Sequence, residues 1–267
     1  MKTYKNNLKN NLKTISITNL KGGVGKTTFC FHFGYLFAQK NLKTLLIDLD
    51  PQGNLTTCFL NSPPSEENHI KLLFEKRIPV PYKIKENLYL LSSDIELSKY
   101  ELQVKLESYF RLKNFIELPE IKENYDVALI DTPPSLNVFT SNALIASSTV
   151  LCVIDQGEFA LSGFKEIKSL IENINEGMKL NIKLLGPVFN MVKKRTLNFK
   201  KNFEKVFSLY KDTAFKSFVR YSVVVRDSIE AKKTVFELFP NHEISKDFLN
   251  VFLEFCEKAE IDLITSQ

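Results

Sequence analysis

Apolar residues recur in short runs along most of this chain, and each run stops at a cluster of small or polar residues. Thr14-Ile15-Ser16-Ile17-Thr18 alternates and is rich in β-branched side chains, the pattern of a strand. Leu45-Leu46-Ile47, Leu88–Leu91, the run from Asp126 to Asp131, Thr149–Ile154 and Leu184–Met191 are near-continuous apolar stretches. Such stretches suit strands covered on both faces. Thr28–Phe37 has the length and apolar faces of a buried helix. Glu66–Glu75 and a longer pattern from Ile95 to about Leu118 also read as helical, with Pro119 ending the second, and Ile244–Ile264 closes the chain as a helix. Strands alternating with helices predict an α/β fold, a mostly parallel twisted sheet with helices on both faces.

Between the first strand and the first helix stands Lys21-Gly22-Gly23-Val24-Gly25-Lys26-Thr27-Thr28. Strand, glycine turn and helix point backbone N–H groups and a helix N-terminus at a phosphate. Lys26 is then placed to reach the β- and γ-phosphates of a bound nucleotide, and the Thr27 hydroxyl to hold Mg²⁺. A strict G-x-x-x-x-G-K-[ST] loop wants glycine at position 20, which here is Leu20; a second lysine, Lys21, precedes the Gly-Gly pair. Two further strands end in carboxylates. Asp48-Leu49-Asp50-Pro51-Gln52-Gly53-Asn54 follows the second apolar run, and Asp131-Thr132-Pro133-Pro134-Ser135 follows the fourth. Carboxylates at the carboxyl ends of parallel strands lie where open α/β sheets bind ligands. Asp48 and Asp50 face one side if the strand persists, and Asp131 suits a Mg²⁺-bound water.

K-G-G-x-G-K-T-T resembles the deviant Walker A motif of the ParA/MinD group of P-loop ATPases. D-L-D-P-Q-G-N and Y-D-x-x-L-I-D-x-P-P-S resemble the group's second motif and its Walker B segment, with the ParA branch favoured. The resemblance covers nearly the whole chain and implies a P-loop NTPase fold with ATP and Mg²⁺ as cofactors. It implies that Gly22, Gly23, Val24, Gly25, Lys26, Thr27 and Thr28 cradle the nucleotide of their own subunit. Lys21 would cross a homodimer interface to the partner's nucleotide. An added cation there neutralises charge on the transferring phosphoryl group. Asp50 would position or activate the attacking water, with Asp48 and Asp131 reaching the metal through water and Lys21, Lys26 and Asp50 forming the catalytic set. The family also places an adenine contact near the end of the sixth strand, where Asn190 offers donor and acceptor together. Where the family has an acid shortly after that strand, this chain has Val192-Lys193-Lys194-Arg195. Gln156 and Glu158 fall in a loop that would approach the dimer interface, with capping or solvated roles open as alternatives.

Charge adds a further signal. From Asn190 to Val235 there are twelve Lys/Arg against four Asp/Glu, a local +8 in a chain of net +5. Lys193, Lys194, Arg195, Lys200, Lys201, Arg220, Arg226, Lys232 and Lys233 form the candidate DNA-binding set; such a field binds phosphates without reading bases. The stretch Arg220–Phe236 resembles the family's pattern there, although Val219 stands where proline is usual. No helix-turn-helix pattern stands out.

Composition excludes several classes. No apolar run approaches the ~20 residues of a membrane span, and the Lys/Asn-rich start lacks the apolar core of a signal peptide. The C-terminal helix carries Asp247, Glu254, Glu257, Glu260 and Asp262, whereas a membrane-surface helix wants a basic polar face. Four scattered cysteines read as buried thiols of a reducing cytosol. His32, His69 and His242 have no ligand spacing. The expected organisation is a basic flexible tail over residues 1–13 and a single ATPase domain over 14–267. The expected protein is a cytoplasmic, nucleoid-associated partition ATPase with non-specific DNA and a ParB-type centromere-binding protein as partners and no membrane. A MinD-like membrane-associated positioning ATPase and a biosynthetic phosphoryl-transfer enzyme of the same fold are the rival readings.

Overall fold

The computed structural model describes residues 12–102, 105–157 and 160–263. It opens with β1 (Lys13–Thr18), α1 (Lys26–Gln39), β2 (Thr44–Asp48) and the single turn α2 (Asn54–Thr57). Next come α3 (Lys71–Phe74), β3 (Tyr82–Lys85), β4 (Leu88–Leu91), α4 (Arg111–Ile116) and α5 (Pro119–Lys122). The sheet is completed by β5 (Val127–Asp131), α6 (Val138–Ala146), β6 (Thr149–Ile154), α7 (Ala160–Met178) and β7 (Lys183–Phe189). The remainder is helical: α8 (Leu197–Leu209), α9 (Val223–Glu230), α10 (Val235–Leu238) and α11 (Glu243–Ala259).

The strand order is β3-β4-β2-β5-β1-β6-β7. All six strands expected from the apolar runs are present and pair in parallel. β3 was not expected. It is a mostly exposed Tyr-Lys-Ile-Lys segment that pairs antiparallel at the edge, where lysines discourage further pairing. Alternation along each strand feeds two layers. Leu46 faces α1 and α11, while Leu45 and Ile47 face α4 and α6. On the first face Phe29, Phe33 and Phe37 of α1 recur every four residues and meet Phe248, Phe252 and Phe255 of α11. Phe37 and Phe252 lie 4.7 Å apart edge to face, and Phe29 and Phe248 lie 5.5 Å apart. Tilted and edge-on pairs of this kind add about 0.5–1.5 kcal/mol each beyond burial. β6 and β7 pack a third group of apolar residues against α7 and α8.

Three expectations change. Leu12 is buried and Lys13 opens β1, so the domain begins before residue 14; residues 1–11 lie outside the described residues. The helix expected from Ile95 to Leu118 is broken into 3₁₀ turns at Ile95–Tyr100 and Leu106–Phe110 followed by α4. Asn142 of α6 explains the last break. Its amide accepts from Leu112 N at 3.0 Å and donates to Ser108 O at 2.7 Å, taking the two groups that would otherwise bond each other in an α-helix. Pro119 does not end a helix but starts α5 at its first turn, where a missing N–H costs nothing. All four cysteines are buried free thiols.

Candidate nucleotide site

β1 lies between β5 and β6, so the loop leaving its carboxyl end emerges mid-sheet beside the ends of β5 and β6. That is the crevice position for ligands in open α/β sheets. Gly23 and Gly25 hold left-handed φ of 74° and 99°, and Gly25 caps α1. A Cβ on Gly25 would overlap the Asn190 amide, so no other residue fits. Asn190 donates its amide nitrogen to Val24 O at 2.8 Å and is buried. It braces the crest of the loop.

Lys26 is buried on the first turn of α1, with its ammonium 3.3 Å from Lys21 O. Burial lowers its pKa, and the facing Asp131 and Asp50 carboxylates oppose that shift. The Thr27 hydroxyl donates to Asp131 Oδ2 at 2.6 Å. Asp131 Oδ1 is the buried side-chain polar atom left without a hydrogen-bond partner among the described residues. Burial, followed by the nearby Asp48 charge, pushes the Asp131 pKa well up. A hydroxyl oxygen with free lone pairs beside an orphaned carboxylate oxygen fits a divalent cation, with Thr27 as direct ligand and Asp131 accepting from a cation-bound water.

Asp48 is buried and tied to the loop that follows it. Its Oδ1 accepts from Asp50 N at 3.1 Å, and its Oδ2 accepts from Thr56 N and Thr56 Oγ1, each at 2.8 Å. Three protein donors occupy most of the carboxylate's roughly four acceptor sites, so Asp48 anchors the following loop. Burial raises its pKa to about 7 against the pull of the Thr56 bonds. β2 ends at Asp48, so the same-side reasoning for Asp50 lapses. Asp50 is buried in the loop, with Oδ1 accepting from Gln52 N at 2.9 Å. It nevertheless shares one cluster with Lys26.

Lys21 sits half-exposed at the mouth of the loop. Its ammonium pairs at 2.5 Å with Asp155 Oδ2, just past β6, with side-chain exposures of 48% and 20%. Asn19 fixes the approach by accepting from Lys21 N at 2.9 Å and donating to Val153 O at 2.7 Å. Asp155 was missed in the sequence because its partner Lys21 lies 134 positions away. Gln156 accepts from Lys193 N at 2.8 Å, so this loop faces the basic segment; Glu158 lies outside the described residues.

A family model described as an AAA domain matches residues 12–184. A virulence-plasmid ParA-family protein of Chlamydia psittaci is 30% identical over 94% of this chain and 97% of its own. The chain belongs to the ParA/Soj family of P-loop ATPases. The sporulation initiation inhibitor protein Soj of Bacillus subtilis is 29% identical, covering 91% of this chain and 97% of its own. The fold also matches that of the Cyanothece McdA(D38A)–ATP complex, with a TM-score of 0.84 at 19% identity, over 96% of this chain and 99% of that one.

The basic third of this ParA/Soj-family chain divides on inspection. Lys193, Lys194, Arg195, Lys200, Lys201, Arg226 and Lys233 are exposed. Lys194 lies 5.0 Å from the Phe218 ring and Lys193 5.7 Å from Tyr221, so two charges share a surface with aromatic faces. Arg220 and Lys232, also in the expected set, are part-exposed and make contacts within the fold. The Arg220 guanidinium grips Asp247 through Nε at 2.5 Å and Nη2 at 2.8 Å, tying the segment after β7 to α11. Lys232 donates to Thr57 O at 3.1 Å and Leu60 O at 2.7 Å, closing the carbonyl end of α2. Among the described residues no helix is long and apolar enough to cross a membrane.

Proposed function

We propose that this chain is an ATP-driven DNA partition switch. ATP binds the Lys21–Thr28 loop with Mg²⁺ on Thr27 and Asp131, and two subunits close face to face around two nucleotides. Lys21 then leaves Asp155 for the partner's phosphates, where its charge offsets the negative charge of phosphoryl transfer. Asp50 orients the attacking water. The closed dimer joins two surfaces bearing Lys193, Lys194, Arg195, Lys200, Lys201, Arg226 and Lys233 into one field for DNA phosphates, and hydrolysis releases it. A ParB-type centromere-binding protein accelerates a slow intrinsic turnover. The protein works in the cytoplasm on the nucleoid.

One observation carries this reading: a second loop lysine, half-exposed and held by a single ion pair. Such a pair contributes at most ~1 kcal/mol, so a triphosphate readily outcompetes it. The test is binding to random-sequence duplex DNA with ATP, ADP or no nucleotide across a salt series, for wild type and Lys21→Ala. ATP-specific binding that weakens steeply with salt and disappears in the variant is expected. Equal, feeble binding in every nucleotide state would refute it.

A further inference from the structure

β2 and β4 are parallel neighbours in register Ile47↔Leu91, so the loops leaving their carboxyl ends run side by side. Thr56, on the α2 turn that follows the first loop, and Ser93, in the second, belong to none of the nucleotide motifs. We infer that Thr56 and Ser93 are positioning residues that hold Asp50 in its hydrolytic orientation. This rests on the reading that Asp50 orients the attacking water.

The bonds form a closed circuit. Asp50 N donates to Asp48 Oδ1 at 3.1 Å, and Thr56 Oγ1 donates to Asp48 Oδ2 at 2.8 Å. Ser93 N donates to Thr56 Oγ1 at 2.9 Å, and Ser93 Oγ donates to Asp50 O at 2.9 Å. Both peptide groups of Asp50 are therefore fixed, one by a carboxylate that Thr56 orients and the other by Ser93 directly. Gly53 N adds a second bond to Asp50 O at 2.9 Å. All four residues of the circuit are buried, so water does not compete for these groups. Close approach is enforced as well. Gly53 has φ +62°, and a Cβ there would come 2.6 Å from Ser93 O, so this loop sits directly on the neighbouring strand's exit.

Each hydroxyl has a job that an apolar replacement cannot do. Thr56 Oγ1 donates to Asp48 while accepting from Ser93 N, so valine at position 56 keeps the shape but breaks two links. A displacement of the water-orienting group by about 1 Å costs on the order of 10²-fold in rate without loosening substrate contacts made elsewhere. The Lys21–Thr28 loop, which holds the phosphates, has no part in the circuit.

The experiment measures steady-state ATP hydrolysis, fluorescent-nucleotide affinity and thermal melting for wild type, Thr56→Val, Thr56→Ser, Ser93→Ala and the Thr56→Val/Ser93→Ala double variant. Expected are a kcat lowered roughly 10- to 100-fold in Thr56→Val with KM within about twofold of wild type. Thr56→Ser should restore most of the rate, Ser93→Ala should fall between, and the double variant should be far from additive because both residues serve one circuit. Wild-type kcat in both single valine and alanine variants would overturn the inference. So would KM rising in step with the loss of kcat, or failure of Thr56→Ser to rescue. If Thr56→Val does not fold, Ser93→Ala decides by the same criteria. A wild-type protein that binds ATP without hydrolysing it would instead overturn the reading of Asp50.

Discussion

Replacing His32 by glutamine is expected to flatten the acid side of this protein's stability profile. His32 is fully buried in α1, one turn beyond the phosphate-binding loop. Its ring stacks on Phe248 at 4.3 Å and 7°, its Nδ1 pairs with Thr28 O at 2.8 Å, and its Nε2 accepts from Val235 N at 3.3 Å. A carbonyl on one side and an N–H on the other fix a neutral tautomer that joins α1 to α10. Burial lowers the pKa from 6.5 to about 4. The folded state thus refuses a proton that the unfolded chain accepts below pH 6.5. The stabilisation is complete above that pH and is lost as pH falls toward 4. At ~1.36 kcal/mol per unit, the full loss is about 3 kcal/mol, of which about 2 kcal/mol is gone by pH 5. Buried Asp48, with its raised pKa, pushes the other way over part of this window, so the wild-type profile alone does not isolate the histidine. The difference between wild type and His32→Gln does, since glutamine offers a donor and an acceptor but never titrates. Urea unfolding at pH 8 and pH 5 gives that difference from two midpoints at constant slope. The variant should be less stable at pH 8, where the ring stack is lost, and the gap should shrink by about 2 kcal/mol at pH 5. Parallel profiles for the two proteins would refute the reasoning.

Two other substitutions probe charges whose partners the fold supplies. Asp155→Asn removes the resting partner of Lys21, and the ATP concentration for half-maximal dimerisation, followed by sedimentation, should fall by up to about fivefold, the worth of a ~1 kcal/mol contact. An unchanged or higher requirement would count against a resting role for the pair. Arg220→Ala and Lys193→Ala should separate two kinds of basic residue. The first should lose about 2 kcal/mol of stability by stripping a charged hydrogen-bond partner from buried Asp247, leaving the salt dependence of DNA binding alone. The second should lower the log–log salt slope by about 1 with the melting temperature unmoved. The reverse assignment of effects would overturn the division of the basic surface.

Much of this architecture is legible in the sequence because its signals are local. The six parallel strands announce themselves as apolar runs, and the phosphate-binding loop joins strand, glycines, lysines and threonines within a few residues. Partners distant along the chain are not written that way. Asp155 meets Lys21 across 134 positions, and Ser93 reaches Asp50 across 43. Arg220 looks like surface charge until α11 folds back to present Asp247. The Ile95–Leu118 pattern is helical in period, yet a side-chain amide on α6 takes the hydrogen-bonding groups of Ser108 and Leu112. β3 escapes notice because a short, mostly exposed edge strand buries too little to leave an apolar signature.

The Asn190–Val24 hydrogen bond spans 166 positions, and it sets an order of events during synthesis. The glycine loop is translated early, but the amide that props its crest is made only with β7's far end. A nascent chain halted before Asn190 would carry every residue of the phosphate-binding motif and lack the brace that shapes it. The loop that the sequence writes in eight consecutive residues is thus finished only when the later half of the polypeptide has arrived and docked.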